Sequence, residues 1–179
     1  VQGCASDSRS VKSCGKRRVI GQVPVAYLEQ PGAFGDTQWA FRAGHSCRDL
    51  VALVTMKCIA HLHAGDKVGM YLSDISGAFH RVSRDQLLEK LHAAGVRHDL
   101  LRFLRSYLDS RRSAVIAGGS TSENFILENS VLQGTVLGPR LWNTFFQDIA
   151  VAVPPEYQEK KFADDLTCFR RFDTDTIND

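Results

Sequence analysis

Two adjacent carboxylates, Asp164 and Asp165, stand between two short apolar runs of the sequence. The runs cover residues 157–163 and 166–172, so the pattern predicts a β-hairpin with the acid pair at its tip. Aspartate is also a common turn residue, but two neighbouring anions repel each other and favour a partner cation. A third carboxylate, Asp74, ends another apolar run. Carboxylate oxygens are the hard ligands that Mg²⁺ prefers, and the three acids are therefore a candidate metal site.

Four segments of the chain resemble the motifs of one enzyme family. Three of them are similar, in order and spacing, to the palm motifs of reverse transcriptases: DISGAF (residues 74–79), QGTVLGP (133–139) and FADD (162–165). The segment QWAFRAGHS (38–46) resembles the fingers motif of the reverse transcriptases of non-LTR (LINE-type) retrotransposons. The similarity extends over residues 37–172, which is most of the chain. The chain thus resembles a fragment of such a reverse transcriptase, an RNA-directed DNA polymerase.

The resemblance implies a reaction and a metal site. The reaction is template-directed transfer of deoxynucleotides to a primer 3′ hydroxyl, with two divalent ions that stabilise the attacking and leaving oxygens. By resemblance, Asp74 and Asp164 are the catalytic acids that bridge two Mg²⁺ ions, with Mn²⁺ as an alternative metal. Asp165 is the supporting acid, and the backbone carbonyl of Ile75 completes one coordination sphere.

The resemblance also implies a nucleotide pocket. Phe79 matches a bulky ring that lies under the sugar of the incoming nucleotide and excludes a 2′ hydroxyl, although Phe is usually a core residue. Gln133 and Gly134 match the pocket loop, in which the amide can hydrogen-bond and the glycine lets the backbone approach the substrate. Arg42 resembles the fingers arginine that faces the triphosphate, a task that suits a forked cation. The implied partners are an RNA template, a DNA primer and deoxynucleoside triphosphates.

Two positions depart from the family pattern. Ala40 stands where glycine is usual, and His80 stands where an aspartate commonly follows Ala-Phe. That aspartate is not one of the metal acids in the family, so the expected chemistry does not depend on it.

The charge distribution adds candidate phosphate contacts. The 179 residues carry a formal net charge of +2, which says little about partners. Residues 97–112, however, contain five arginines and two aspartates. Basic clusters suit phosphate backbones, although a run of charge is more often a solvated face. The candidate nucleic-acid-binding residues are Arg102, Arg105, Arg111 and Arg112.

Composition excludes several classes of protein. With 44% hydrophobic and 23% charged residues, the chain is typical of a globular domain. Five cysteines without a CxxC pair argue against zinc and a disulfide framework and favour an intracellular setting, nuclear or cytoplasmic. No uncharged run approaches the ~18 residues of a membrane helix, and Walker A, Rossmann and HExxH patterns are absent.

Two alternatives stay open: a group II intron-like reverse transcriptase, and a decayed fragment that only binds nucleic acid.

Local patterns predict an α+β fold, with an antiparallel palm-like sheet backed by helices. Capping patterns predict helices that begin at Ser46 and Ser83. Further elements are expected as a strand over residues 68–73, a helix over 98–108, two strands over 113–117 and 124–128, and a helix whose first turn carries Pro139.

By resemblance, the chain is a partial right-hand polymerase fold, with fingers and palm and without the thumb. The expected parts are a basic N-terminal segment without a readable motif (1–36), a fingers part (37–66), a palm part with the first catalytic strand (67–82), helices and a hairpin of fingers and palm (83–130), a palm part with the pocket loop, a helix and the acid hairpin (131–172), and a truncated tail (173–179). The chain is expected to be a piece of a longer reading frame.

Overall fold

The computed structural model describes residues 4–5, 28, 35–127 and 131–173. In chain order, the elements are β1 (Cys4–Ala5), α1 (Cys47–His63), β2 (Lys67–Ser73), α2 (Arg84–Ala93), α3 (His98–Tyr107), β3 (Arg111–Ala117), β4 (Ser120–Thr121), β5 (Phe125–Leu127), α4 (Gly138–Phe146), β6 (Gln158–Phe162) and β7 (Asp165–Phe172). Short 3-10 helices cover Ala78–Arg81 and Gln147–Ala152.

The chain divides into two compact units. The first contains residues 1–30 and 79–145, and the second contains residues 31–78 and 146–179. Each unit has its own antiparallel sheet, so the predicted α+β class with antiparallel sheets is confirmed. In the described part of the chain, no helix is long and apolar enough to cross a membrane.

The sheet of the second unit has the strand order β2-β7-β6, and β7 is antiparallel to both neighbours. At one end of the sheet, Ser73 pairs with Leu166, and Phe162 pairs with Asp165. Both the strand predicted over residues 68–73 and the predicted hairpin are thereby confirmed. The hairpin brings β7 back along β2, and the two strands pair over their whole length.

Helix α1 covers this sheet. Its N-terminus is capped as predicted, because the hydroxyl of Ser46 accepts a hydrogen bond from the Asp49 backbone N–H at 3.1 Å. Leu50 and Val54 pack against Phe169 of β7 and form the buried cluster of this unit. Each such side chain stabilises the fold by about 1.5–3 kcal/mol when it is fully buried. The helix therefore fixes the strand that begins at the acid pair.

The first unit is built around α2 and α3, which pack on each other. The predicted cap of α2 is confirmed, since the Ser83 hydroxyl accepts from the Gln86 backbone N–H. Leu87, Leu91 and Leu104 have no exposed surface and form the centre of this packing. The predicted helix over residues 98–108 is also present, as α3.

The two strands predicted over residues 113–117 and 124–128 are present as β3 and β5, and a further short strand, β4, lies between them. The chain returns from β3 in two short pieces, β4 and β5, which both pair with β3; residue 128 lies outside the described residues. Ser122 separates the pieces: its hydroxyl accepts from the Val115 N–H, and its own N–H donates to the Val115 carbonyl. A side chain that replaces a ladder partner interrupts the strand. The pair of residues in β1 adds to the same sheet beside β3.

Candidate active site

The three predicted metal acids lie at one end of the sheet in the second unit. β2 ends one residue before Asp74, and β7 begins with Asp165. Ser73 and Leu166 form the last residue pair of these two strands. The next pair in the same register would place Asp74 opposite Asp165. Asp164 belongs to the two-residue loop of the hairpin. Residues 162–165 are called the acid turn below.

The acids influence one another electrostatically. Burial raises the pKa of Asp165, and the charges of Asp164 and Asp74 raise that pKa further. A bound cation would relieve this repulsion, and carboxylate oxygens suit Mg²⁺. Among the described residues, however, no three His, Cys, Asp or Glu side chains are gathered closely enough to hold a metal ion. The donor chemistry and the mutual charge of the acids fit a divalent cation, and the metal role stays a prediction.

The backbone turns directly after Asp74. The carbonyl of Ile75, which the resemblance assigns to a metal ion, accepts a hydrogen bond from the Ala78 N–H at 3.2 Å. A carbonyl oxygen has two lone pairs, so this bond is compatible with a further contact. The bond closes the turn that leads from β2 into the 3-10 helix.

Gln38 holds the acid turn, and the resemblance assigned no role to it. Gln38 is 3% exposed. Its Oε1 accepts from the backbone N–H groups of Ala163 (3.1 Å) and Ala40 (3.0 Å), and its Nε2 donates to the Ala163 carbonyl (3.2 Å). The only sequence signal was the place of Gln38 in the fingers-like motif. Ala40, the departure from glycine, is 1% exposed and fits its site.

A buried ion pair lies next to the acid turn on β6. The Lys161 Nζ lies 3.3 Å from Oε1 of Glu159 and donates to the Gln147 carbonyl at 3.3 Å; the two charged side chains are 1% and 9% exposed. Each buried charge compensates part of the desolvation cost of the other. The Lys161 backbone also donates to the Thr37 carbonyl (2.7 Å) and accepts from the Trp39 N–H (2.9 Å). Segment 37–39 is thereby fixed to β6.

Arg42 lies in the second unit, as do the acids, and it makes contacts within its own loop. Its Nη1 donates to the carbonyls of Gly35 (2.7 Å) and Gln38 (3.0 Å). These bonds hold the loop that carries Gln38. A guanidinium has five N–H donors, so the bonds leave room for the predicted triphosphate contact, which stays a prediction.

The other predicted pocket residues belong to the first unit. Phe79 is half-buried, and its ring stacks on Trp142 of α4 with centroids 5.6 Å apart. The carbonyl of Phe79 accepts from the Val131 N–H at 3.0 Å. The ring therefore makes the kind of packing contact that is expected of a core residue. Its role under the sugar of the incoming nucleotide stays a prediction.

Residues 132–138, called the pocket turn below, contain Gln133 and Gly134, which are both exposed. Gly134 has φ +80°, a conformation that L side chains rarely adopt, although a Cβ there would meet no atom within 4 Å. Glycine is thus required by the backbone conformation and not by lack of space.

Thr135 ties the pocket turn together, and sequence analysis did not single it out. Its hydroxyl donates to the Leu132 carbonyl (2.7 Å) and accepts from the Gly138 N–H at the start of α4 (3.1 Å). The same hydroxyl accepts from the hydroxyl of Tyr107 on α3 (2.9 Å). One oxygen therefore joins both ends of the turn to a helix.

The four candidate nucleic-acid-binding arginines also lie in the first unit. Arg102 and Arg105 are exposed on α3, Arg112 is exposed on β3, and Arg111 is half-buried. Arg102 pairs with Asp99 at 3.2 Å in a fully solvated contact, which contributes about 0–1 kcal/mol. The exposed arginines are accessible to a phosphate backbone and equally compatible with a solvated face.

The fold is of the polymerase type. A structure of telomerase from Candida albicans, in complex with the TWJ fragment of telomeric RNA, matches this chain with a TM-score of 0.61. The match covers 84% of this chain and 30% of that chain at 13% sequence identity, so it shows the fold alone.

The family model for reverse transcriptase (RNA-dependent DNA polymerase) matches residues 11–178. The chain therefore belongs to the reverse transcriptase family. It is 30% identical over 137 residues to a probable RNA-directed DNA polymerase from transposon BS of Drosophila melanogaster. It is also 30% identical over 112 residues to the RNA-directed DNA polymerase from mobile element jockey of Drosophila funebris.

These two matches cover 73% and 63% of this chain and only 15% and 12% of the relatives. The chain thus corresponds to a small part of the length of the curated relatives it matches. The predicted resemblance to the reverse transcriptases of non-LTR elements is confirmed.

Proposed function

We propose that this chain contributes fingers and palm segments to an RNA-directed DNA polymerase of a non-LTR retrotransposon. The proposed partners are an RNA template, a DNA primer and deoxynucleoside triphosphates. The observation that carries the proposal is the meeting of β2 and the acid turn at one end of one sheet, where burial, and then the charges of Asp164 and Asp74, raise the pKa of Asp165. The division into fingers and palm at the boundaries given above is part of the proposal.

The proposed chemistry uses two divalent ions, which when bound stabilise the attacking and leaving oxygens of phosphoryl transfer. Asp74 and Asp164 would hold them, since Asp74 directly follows β2 and Asp164 lies in the tight turn between β6 and β7. Asp165, whose pKa is raised by burial and by the neighbouring acids, would support that charge balance. The carbonyl of Ile75 would be a further oxygen ligand.

Four residues are proposed to contact the nucleotide. In the first unit, Phe79 presents a ring for the sugar, Gln133 presents an exposed amide, and Gly134 allows a close backbone approach. In the second unit, Arg42 would contact the triphosphate through its guanidinium. Arg102, Arg105, Arg111 and Arg112 would contact phosphates of the template or primer, because exposed arginines bind phosphates without sequence preference.

The setting proposed for this enzyme is intracellular. Within the described ranges, Cys47, Cys58 and Cys168 are all free thiols. Free thiols are the normal state of cysteine in a reducing compartment.

The test is primer extension on an RNA template with Mg²⁺, by the longest open reading frame that contains this chain. Asp164→Asn removes a metal ligand and keeps the shape of the side chain. Loss of a residue that merely orients a ligand costs about 10–100-fold, so loss of the ligand itself should cost more than about 100-fold. Affinity for template should stay unchanged, since phosphate contacts dominate it.

Asp85→Asn is the matched control, because Asp85 is an exposed acid on α2 and its side chain is 79% exposed. Extension that survives Asp164→Asn would place the metal site elsewhere. A native protein that binds RNA and does not extend primers would support the alternative, a decayed fragment that only binds nucleic acid.

A further inference from the structure

One buried amide occupies both backbone polar groups of a single residue in the acid turn. Gln38 accepts from the N–H of Ala163 and donates to its carbonyl, across a separation of 125 positions in the chain. Ala163 directly precedes Asp164. A change in the backbone dihedrals of Ala163 therefore changes the direction in which the Asp164 carboxylate points.

The backbone of Ala163 is strained. Its φ is +57°, in the left-handed region that favours glycine. In a two-residue hairpin loop, a positive φ at the first position is characteristic of type II′ turns, which normally have glycine there. The Cβ of an L-residue makes the left-handed conformation unfavourable. The acid turn thus keeps this conformation because contacts from outside the turn hold it.

We propose that Gln38 is a positioning residue, which holds Ala163 in the left-handed conformation and so directs the Asp164 carboxylate into the metal site. This inference rests on the proposed function, in which Asp164 is a catalytic acid. Gln38 does not touch the substrate or the metal in this proposal, and it acts only through the backbone of Ala163.

The amide of Gln38 is itself held on both sides. Its neighbours Thr37 and Trp39 make backbone hydrogen bonds to Lys161 of β6, at 2.7 and 2.9 Å. Arg42 donates to the Gln38 carbonyl at 3.0 Å. A side chain on such a fixed backbone can impose a conformation on the turn, whereas a side chain on a loose loop would follow it.

The first measurement is steady-state kinetics of Gln38→Ala in the reading frame that extends primers. Loss of a residue that orients a metal ligand lowers activity about 10–100-fold. We expect this loss in kcat, with the KM for deoxynucleotide unchanged, because the nucleotide contacts are not altered. Gln158→Ala is the matched control: the Gln158 amide lies on β6 in an exposed contact with Lys57, and its loss should leave kcat unchanged.

The second measurement is a rescue at the turn itself. In the double variant Gln38→Ala with Ala163→Gly, glycine adopts a positive φ without strain. We expect kcat to recover several-fold relative to Gln38→Ala alone. A cavity or a general loss of packing at Gln38 would not be repaired by a change at residue 163. An unchanged kcat in the double variant would therefore overturn the positioning role.

The third measurement does not depend on catalysis. In the full chain, hydrogen exchange of the Ala163 amide should be slow, and in Gln38→Ala it should be at least about tenfold faster, because the N–H loses its acceptor. The Trp39 amide, which bonds to Lys161, is the internal control and should not change. If Gln38→Ala does not fold, Gln38→Asn keeps an amide with a shorter reach and should give the same exchange result.

The outcomes separate the two hypotheses. Fast exchange of the Ala163 amide in the native chain, or no change on substitution of Gln38, overturns the positioning role. If exchange is slow and depends on Gln38 but the protein does not extend primers, the hydrogen-bond contact is supported. The proposed polymerase function, and with it the catalytic consequence of the contact, would then be overturned.

Discussion

The acid turn and the pocket turn both carry candidate active-site residues, and they are held in opposite ways. In the acid turn, an alanine has a positive φ, and a distant buried amide occupies its backbone groups. In the pocket turn, a glycine has the positive φ, and the hydroxyl of the next residue joins the two ends. The pocket turn is therefore stable through its own residues and their link to α3. The acid turn depends on the segment around Gln38, which is itself bonded to the Lys161 backbone of β6.

This difference predicts where each turn is sensitive to substitution. Glycine tolerates its conformation at no steric cost, so the pocket turn needs only local hydrogen bonds. Alanine with a positive φ adds a cost of about 1–2 kcal/mol, which tertiary contacts must offset. Three sets of substitutions examine this contrast and one tests the neighbouring sugar contact, in order of decreasing expected effect.

Lys161→Met should have the largest effect on stability. It leaves the Glu159 carboxylate buried without its cation, and removal of one partner of a buried pair costs about 3–5 kcal/mol. Urea unfolding of the full chain would measure the loss. A double variant, Lys161→Met with Glu159→Leu, removes both charges and should recover most of it. A single-variant loss of less than about 1 kcal/mol would mean that this pair is effectively solvated, and that the acid turn does not depend on it.

Thr135→Val should destabilise the pocket turn by about 1–3 kcal/mol. The substitution keeps the shape of the side chain, and it leaves the Leu132 carbonyl, the Gly138 N–H and the Tyr107 hydroxyl without their common partner. Tyr107→Phe removes only one of these bonds and should cost about 1 kcal/mol. Thermal unfolding of both variants gives the comparison. Equal losses would show that the turn is not organised by the Thr135 hydroxyl.

Phe79→Val should reduce sugar discrimination. If the ring lies under the nucleotide sugar, the preference for deoxynucleotides over ribonucleotides should fall by about 10–100-fold, measured as the ratio of kcat/KM values in primer extension. Phe103→Val is the control, because the Phe103 ring also stacks on an aromatic neighbour in the first unit, Tyr107, with centroids 6.2 Å apart. Equal loss of both substrates, or a similar change in the control, would identify Phe79 as a packing residue.

The smallest effects come from exchanging alanine and glycine between the two turns. Gly134→Ala should destabilise the chain by about 0.5–1 kcal/mol, since left-handed strain exceeds the gain from a stiffer unfolded chain. Ala163→Gly should stabilise it by a similar amount, for the opposite reason. Chemical unfolding measures both values. Changes of the same sign would refute the contrast between the turns.

Elements that depend on short-range chemistry were predictable. The capping residues Ser46 and Ser83 begin helices as expected, because a side chain that caps a helix bonds a backbone group only three residues away. The strand before Asp74 and the acid hairpin were predictable from apolar runs and a turn of two residues. The predicted strands of the first sheet are present, but the break between β4 and β5 was not predictable. It depends on the Ser122 hydroxyl, which accepts a hydrogen bond from the Val115 N–H and which no alternation of residue types indicates.

The buried polar groups of the second unit were not predictable. Lys161 stands in a segment that the sequence presents as one arm of a hairpin, and nothing local indicates that its charge is 1% exposed and opposite Glu159. The resemblance also gave no sign that the Arg42 Nη1 donates to backbone carbonyls of its own loop, while its predicted triphosphate contact stays a prediction. Long polar side chains reach many partners, so their contacts depend on which segments the fold brings together.

The sequence by itself determined the three acids, their position at the end of a strand and in a hairpin turn, and the family to which the chain belongs. The positions of the acids follow from residue types over short distances, where periodicity and turn chemistry act, and the family follows from the resemblance of the four motifs. Only the tertiary structure decided how the acid turn is held, because Gln38 and Ala163 are 125 positions apart. A hydrogen bond over that separation exists only after segment 37–39 has paired with β6, and no local pattern encodes it.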